Sequence, residues 1–302
     1  YSNTTPDETF SYDLVGNRTG HTIGSANRVL DDGTFTYSYD AEGNLTGKVN
    51  KTTQEVSTYS YDHRNRLSAV VKRDQGGTLL SQSQYRYDPK NRRVAKTVYS
   101  TPTYTLYDGD SPWADYDSTL LPTTRYLHGE RIDEVLARYR ASDGLSCYLP
   151  DRLGSIRDIS NDTGNLINSS VLSAYGDVVN ETSPSAADRF KFTGREYDAE
   201  TGLYYYRARY YDPKLGRFIS EDPLGFDAGD VNLYRYVGGG PGNGTDPSGK
   251  LLDQEAFNAG MAARIAGPSA QLVSQVGSQV SPAQLTGIGL IALFADCTFT
   301  KV

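Results

Sequence analysis

The sequence predicts an all-β protein: antiparallel hairpins laid side by side in one long sheet, followed by a short, mainly helical C-terminal segment. Three observations predict it. A single turn motif recurs through most of the chain, tyrosines come in pairs two residues apart, and tyrosine dominates the aromatics, with 24 Tyr against 9 Phe and 1 Trp. Tyrosine buries its ring while its hydroxyl finds a polar partner, so this surplus favours many half-wet surfaces and a thin, extended core.

The bulk composition sets limits. At 302 residues the chain holds one large β domain or two ordinary ones, and 37% hydrophobic residues rules out wholesale disorder. A net charge of -7 and a pI near 5.1 argue against nucleic acid as the main partner, which would need concentrated Lys and Arg. Cys147 and Cys297, with three scattered histidines, form neither a disulfide framework nor a metal-ligand cluster, so no metal and no cofactor is expected. The most apolar run, "LTGIGLIALFADC" at 285 to 297, is too short to span a bilayer and carries Asp296. The chain begins at Tyr1 and its one methionine is Met261, so it is expected to be a piece of a longer polypeptide whose N-terminal portion precedes it.

The hairpins come first in the chain. "FSYDLVGNRTG", "YSYDAEGNLTG", "YSYDHRNRLSA" and "YRYDPKNRRVA" share one plan: an aromatic strand end, Asp, two or three turn residues, Gly or Asn, then a new strand. The motif tyrosines at 12, 39, 61 and 87 recur about 22 to 27 residues apart, a spacing typical of repeat architectures. Tyr37 and Tyr39, Tyr59 and Tyr61, and Tyr85 and Tyr87 are two apart, so each pair faces one side of its strand. Asp40 accepts a hydrogen bond from the turn backbone, and Gly43 supplies the positive φ that lets the next strand return. Asn65 and Asn91 fit the same position. One such hairpin cannot bury its aromatic face alone, so the units pair edge to edge, and natural twist curls the strip into a spiral.

Residues 104 to 187 keep the β character with looser turns. "REYDAETGLYY" and "RYYDPKLGRFI" then restart the motif within residues 188 to 249. Beyond Gly249 the chain loses tyrosine and gains Ala, Gln and apolar residues, with Asp253 as an N-cap and Ala256, Phe257, Met261 and Ile265 on helical spacing. The domain organisation read from these shifts is 1 to 103, 104 to 187, 188 to 249 and 250 to 302.

The units resemble YD repeats of the RHS/YD-repeat family, and residues 188 to 249 resemble the RHS repeat-associated core domain nearly from end to end. The resemblance implies a hollow β-shell with the core curling inward as a plug. It also implies a variable C-terminal polypeptide, often a toxin, enclosed by the shell, and an aspartyl-protease-like site that cuts the chain just after a "DPxGL" motif. The partners it implies are the chain's own C-terminal segment and its missing N-terminal portion, and the location it implies is secreted or at the cell surface.

The candidate site lies in "GRFISEDPLGFDAGDVNLYRYVGGGPGNGTDPSGK", residues 216 to 250. Two carboxylates held close share one proton, so that one activates water while the other protonates the scissile carbonyl. Asp222 and Asp246 are the natural pair, Arg217 the expected orienting cation and Asp230 a further candidate. Aligned with that motif, the resemblance implies a cut between Lys250 and Leu251, or one residue later if the leucine requirement slips. Lys250 stands where the family motif has leucine, and a lysine desolvated there would count against cutting. "GTDPSGK" at 244 to 250 has the spacing of a phosphate-binding loop, but Leu251 replaces its Ser or Thr and no apolar strand leads into it. The competing functional reading is an extracellular protein that binds carbohydrate or a cell-surface partner through its tyrosines, without cleavage.

Overall fold

The computed structural model describes residues 7–250. The Tyr-Asp turns set its architecture. In each, the aspartate Oδ1 accepts the N–H of the residue four places on: Asp40 from Asn44 at 2.8 Å, Asp62 from Arg66 at 3.1 Å and Asp88 from Arg92 at 2.9 Å. The residue before that donor is left-handed, with φ of 81° at Gly43, 57° at Asn65 and 65° at Asn91. A register shift beside Tyr39, Tyr61 and Tyr87 puts the same bulge in each repeat.

Sixteen strands, from Thr22–Ile23 to Val178–Glu181, pair antiparallel in strict sequence order. The first and last do not meet, so the sheet is open. Thr101–Asp108 runs across residue 103 without a break in pairing, and residues on both sides of it belong to the same sheet. A second sheet of four strands comes next: Glu196–Asp198, Leu203–Tyr206, Arg209–Asp212 and Arg217–Phe218. Among the described residues the only helical elements are 3-10 turns of three or four residues. The helix expected from Asp253 onward lies outside the described residues.

The small sheet packs on the tyrosine face of the large one. Tyr37, Tyr59 and Tyr85 are buried, and Tyr39, Tyr61 and Tyr87 pack beside them against Leu203, Tyr205, Tyr210 and Ile219. Tyr85 and Tyr210 lie 5.2 Å apart between ring centroids. A second cluster is drier than the composition alone predicts, with Tyr204, Tyr206, Tyr211 and Tyr236 at 0% exposure. Their hydroxyls are satisfied inside: Tyr204 donates to Gly176 O and Tyr211 to Tyr175 O, both at 2.8 Å, and Tyr206 and Tyr236 join at 3.3 Å. That internal pairing lets a polar aromatic fill a dry core.

Ion pairs fasten the two sheets. Arg93 meets Glu196 at 2.9 Å and Asp198 at 2.5 Å, Lys96 meets Asp198 at 2.9 Å, and Lys48 meets Asp212 at 2.9 Å. Asp198 and Asp212 occupy the motif position that caps a turn in the early repeats. In the small sheet they are buried and face cations of the large one.

Candidate active site

Arg209 opens the strand Arg209–Asp212, and its side chain is 1% exposed. A guanidinium at that depth requires opposite charge. Two carboxylates supply it: Asp222 Oδ2 at 2.8 Å and Asp246 Oδ2 at 3.6 Å, both from Arg209 Nη2. Asp222 lies just past the last strand of the small sheet, where its Oδ1 accepts Leu224 N–H at 2.9 Å and its own N–H donates to Leu233 O at 3.0 Å. Arg209 Nη1 donates to the same Leu233 carbonyl at 2.8 Å, and the guanidinium lies 3.6 Å above the Phe218 ring. The two aspartates paired from the sequence thus end on one arginine.

Asp246 caps the final turn. Its Oδ1 accepts Ser248 Oγ–H at 3.1 Å and Lys250 N–H at 3.2 Å, while its Oδ2 has no hydrogen-bond partner among the described residues. Burial pushes its carboxyl up to about 6 against the pull of Arg209, and the charge of Asp222 adds to the rise. Burial also lowers Arg209, to about 10, against the attraction of both aspartates. Burial therefore works against the charges of Arg209 and Asp246, with the Asp222 carboxylate beside them.

The segment leading to Lys250 is gripped residue by residue. Arg207 Nη1 donates to Pro247 O, Ala208 N to Ser248 O at 3.2 Å, and Arg209 Nε to Gly249 O. Gly249 is required here: at φ 68° an added Cβ would lie 2.0 Å from Tyr206 O. Ser248 Oγ lies 3.2 Å from Lys250 O, so one hydroxyl touches both Asp246 and the carbonyl of the last described residue. Lys250 is exposed and lines a cavity of about 370 Å³.

Two expected members stand elsewhere. Arg217 turns to the start of the large sheet, where Nη1 donates to Asn27 O at 2.7 Å and Nη2 to Asn17 Oδ1 at 3.0 Å. Asp230 pairs with Arg235 Nε at 2.7 Å and caps Asn232 N at 2.9 Å. Arg217 sits on the last small-sheet strand beside Asp212, and its guanidinium ties that strand to the N-terminal hairpin, sharing Asn17 Oδ1 with Asn232 Nδ2 at 3.0 Å. Sequence reasoning missed Arg209. The signal for it was its place in "RYYD", where a cation precedes two large aromatics in a strand and must find a buried anion. Leu251 lies outside the described residues. Among those described, no group of His, Cys, Asp and Glu could hold a metal ion, and no helix is long and apolar enough to cross a membrane.

Comparison with known proteins places this geometry in context. The family model described as Teneurin YD-shell matches residues 2–240. Over 267 residues the chain is 34% identical to the tRNA nuclease WapA of Bacillus subtilis, a match covering 85% of this chain and 10% of that protein. Over 264 residues it is 30% identical to Toxin protein Tse5 of Pseudomonas aeruginosa, covering 76% of this chain and 20% of that one. The crystal structure of TcdB2-TccC3 matches with a TM-score of 0.52 at 23% identity, covering 71% of this chain and 13% of that one. The chain thus spans a tenth to a fifth of the length of these curated relatives.

Proposed function

The chain belongs to the Teneurin YD-shell family, and from that premise we propose that it is an RHS-type β-shell module that encloses and presents a variable C-terminal polypeptide and cuts itself once beside Lys250. Relatives described as a nuclease and a toxin support the carrying role. The working location that goes with it is outside the producing cell or on its surface. The observation that carries the cutting role is the convergence of Asp222 and Asp246 on Arg209, directly beside the end of the gripped segment at Lys250.

In this reading Asp222 takes a proton from a water molecule, and the water oxygen attacks the carbonyl carbon of Lys250. Protonated Asp246 supplies a proton to the carbonyl oxygen, which Ser248 Oγ already contacts. The bond to Leu251 N then breaks, the nitrogen takes the proton held by Asp222 and leaves as an amine, and one hydroxyl of the tetrahedral carbon returns a proton to Asp246, which leaves Lys250 with a carboxylic acid that ionises in water. Arg209 holds both carboxylates in place while the turn from Pro247 to Gly249 holds the bond still. The cut then leaves Lys250 at the end of the core and makes residues 251 to 302 the carried segment.

Intact mass under denaturing conditions tests it, on the wild type and on Asp222→Asn and Asp246→Asn. The wild type should give two products that separate between Lys250 and Leu251, and both variants should stay full length while keeping the β spectrum. A wild type that shows only its full mass after long incubation overturns the reading, and a cut that persists in both variants assigns it to another protease.

A further inference from the structure

The cavity beside Lys250 has a mixed lining that the proposed chemistry leaves unused. Val135, Phe190 and Tyr205 give it buried apolar walls, while Arg64 and Lys90 stand exposed at its edge. Those two cations hold equivalent positions in successive turns, and each backbone N–H donates to the turn aspartate at 2.9 Å. Neither side chain has an ion pair among the described residues, whereas the neighbouring Arg66 and Arg92 are each held by their own turn aspartate at 2.7 Å. The edge therefore carries two cations without an ion pair over an apolar floor, with the exposed Asp110 also in the lining. Its volume of about 370 Å³ falls in the ~300–1,000 Å³ range of sites that hold a ligand.

The geometry points to a specific occupant: residues 251 to 255 of the same chain, with Leu251 and Leu252 against the apolar wall and Asp253 and Glu255 on Arg64 and Lys90. Two independent facts select it. Lys250 itself lines the cavity, so the next residues of the chain set out from its wall, and three to five residues of extended chain cover about 10 to 17 Å. The sequence "LLDQE" has the matching order, apolar first and acidic next, and no Lys or Arg comes after Lys250 before Arg264. This seat makes the shell hold the first residues of the downstream segment whether or not the bond before them is cut.

Zero-length carbodiimide coupling on the full chain tests it, with the products located by peptide mapping. The exposed Lys51–Asp31 pair, 2.8 Å apart, is the internal control for reaction. Lys90 should couple within one molecule to Asp253 or Glu255, and that product should fall at least tenfold in Asp253→Asn/Glu255→Gln and in chains treated at high salt. Coupling of these acids to other lysines, coupling only between molecules, or no such product while the control pair reacts, overturns the seat. Because the coupled peptide is read in intact and cut chains alike, loss of the seat and loss of self-cleavage are separate results.

Discussion

Asp246 carries the pH behaviour of the candidate site. Its folded carboxyl is raised to about 6 from an ordinary 3.8, so the acid form needed for proton donation is present below about pH 6. Cutting should be fastest there and should slow about tenfold per pH unit above it, measured as product mass against time after refolding; a rate flat from pH 5 to 8 would remove Asp246 from the acid role. The same shift has a stability sign. A raised folded value favours the protonated native state, so the contribution is full below about pH 4 and is lost as pH rises through 6. Asp246→Asn should therefore be more stable than wild type at pH 8, by on the order of 1–3 kcal/mol in urea unfolding. A variant no more stable at pH 8 would mean that the charge is already accommodated. Arg209→Lys should cost cutting about a hundredfold, since an ammonium cannot hold two carboxylates and the Leu233 carbonyl in one plane, and the test is the same mass assay. At this scale the sequence was half legible. Asp222 and Asp246 announce themselves because each begins an Asp-Pro turn, but the arginine they meet depends on how the small sheet folds. "GRFIS" looked the nearer source of charge, and Arg217 points to Asn17 and Asn27 instead.

The repeat element is stabilised by the aspartate that ends each strand. Asp62 accepts the N–H groups of Arg64 and Arg66, and its Oδ2 holds Arg66 Nε at 2.8 Å. Neighbouring turns are then linked: Asn44 Nδ2 donates to Asn65 Oδ1 at 3.2 Å, and Arg66 Nη1 to Asn91 Oδ1 at 2.9 Å. Asp62→Ala should lose about 1–3 kcal/mol in urea unfolding, against no measurable change for the exposed turn neighbour His63→Ala. Equal midpoints for the two variants would show that strand pairing alone holds the turn. These hairpins were legible because turn chemistry is local, and an Asp shortly before a Gly or Asn admits few conformations. Asp198 leaves that role for two cations, and Asp212, whose Oδ1 still accepts Lys214 N–H at 2.9 Å, adds a cation on its Oδ2; neither change was legible. Their partners Arg93, Lys96 and Lys48 lie over a hundred residues away, and only the packing of one sheet on another reveals them.

At the scale of the whole molecule, the open sheet leaves two unpaired edges among the described residues, at Thr22–Ile23 and Val178–Glu181. Val179 on the second is 53% exposed. Such edges pair with other chains, so the protein should associate as its concentration rises, and Val179→Lys should shift sedimentation toward the monomer. A wild type that is monomeric at every concentration would mean that both edges are protected. Every strand of the large sheet pairs only with its neighbours in sequence, which decides how the molecule yields to a pull. Drawn by one end through a narrow opening, the sheet need not break as a whole. Once the charged fastenings from residues 188 to 249 let go, hairpins would peel away in turn, each of 22 to 27 residues releasing roughly 80 to 90 Å of slack. The force required is then set by one hairpin, however long the sheet becomes.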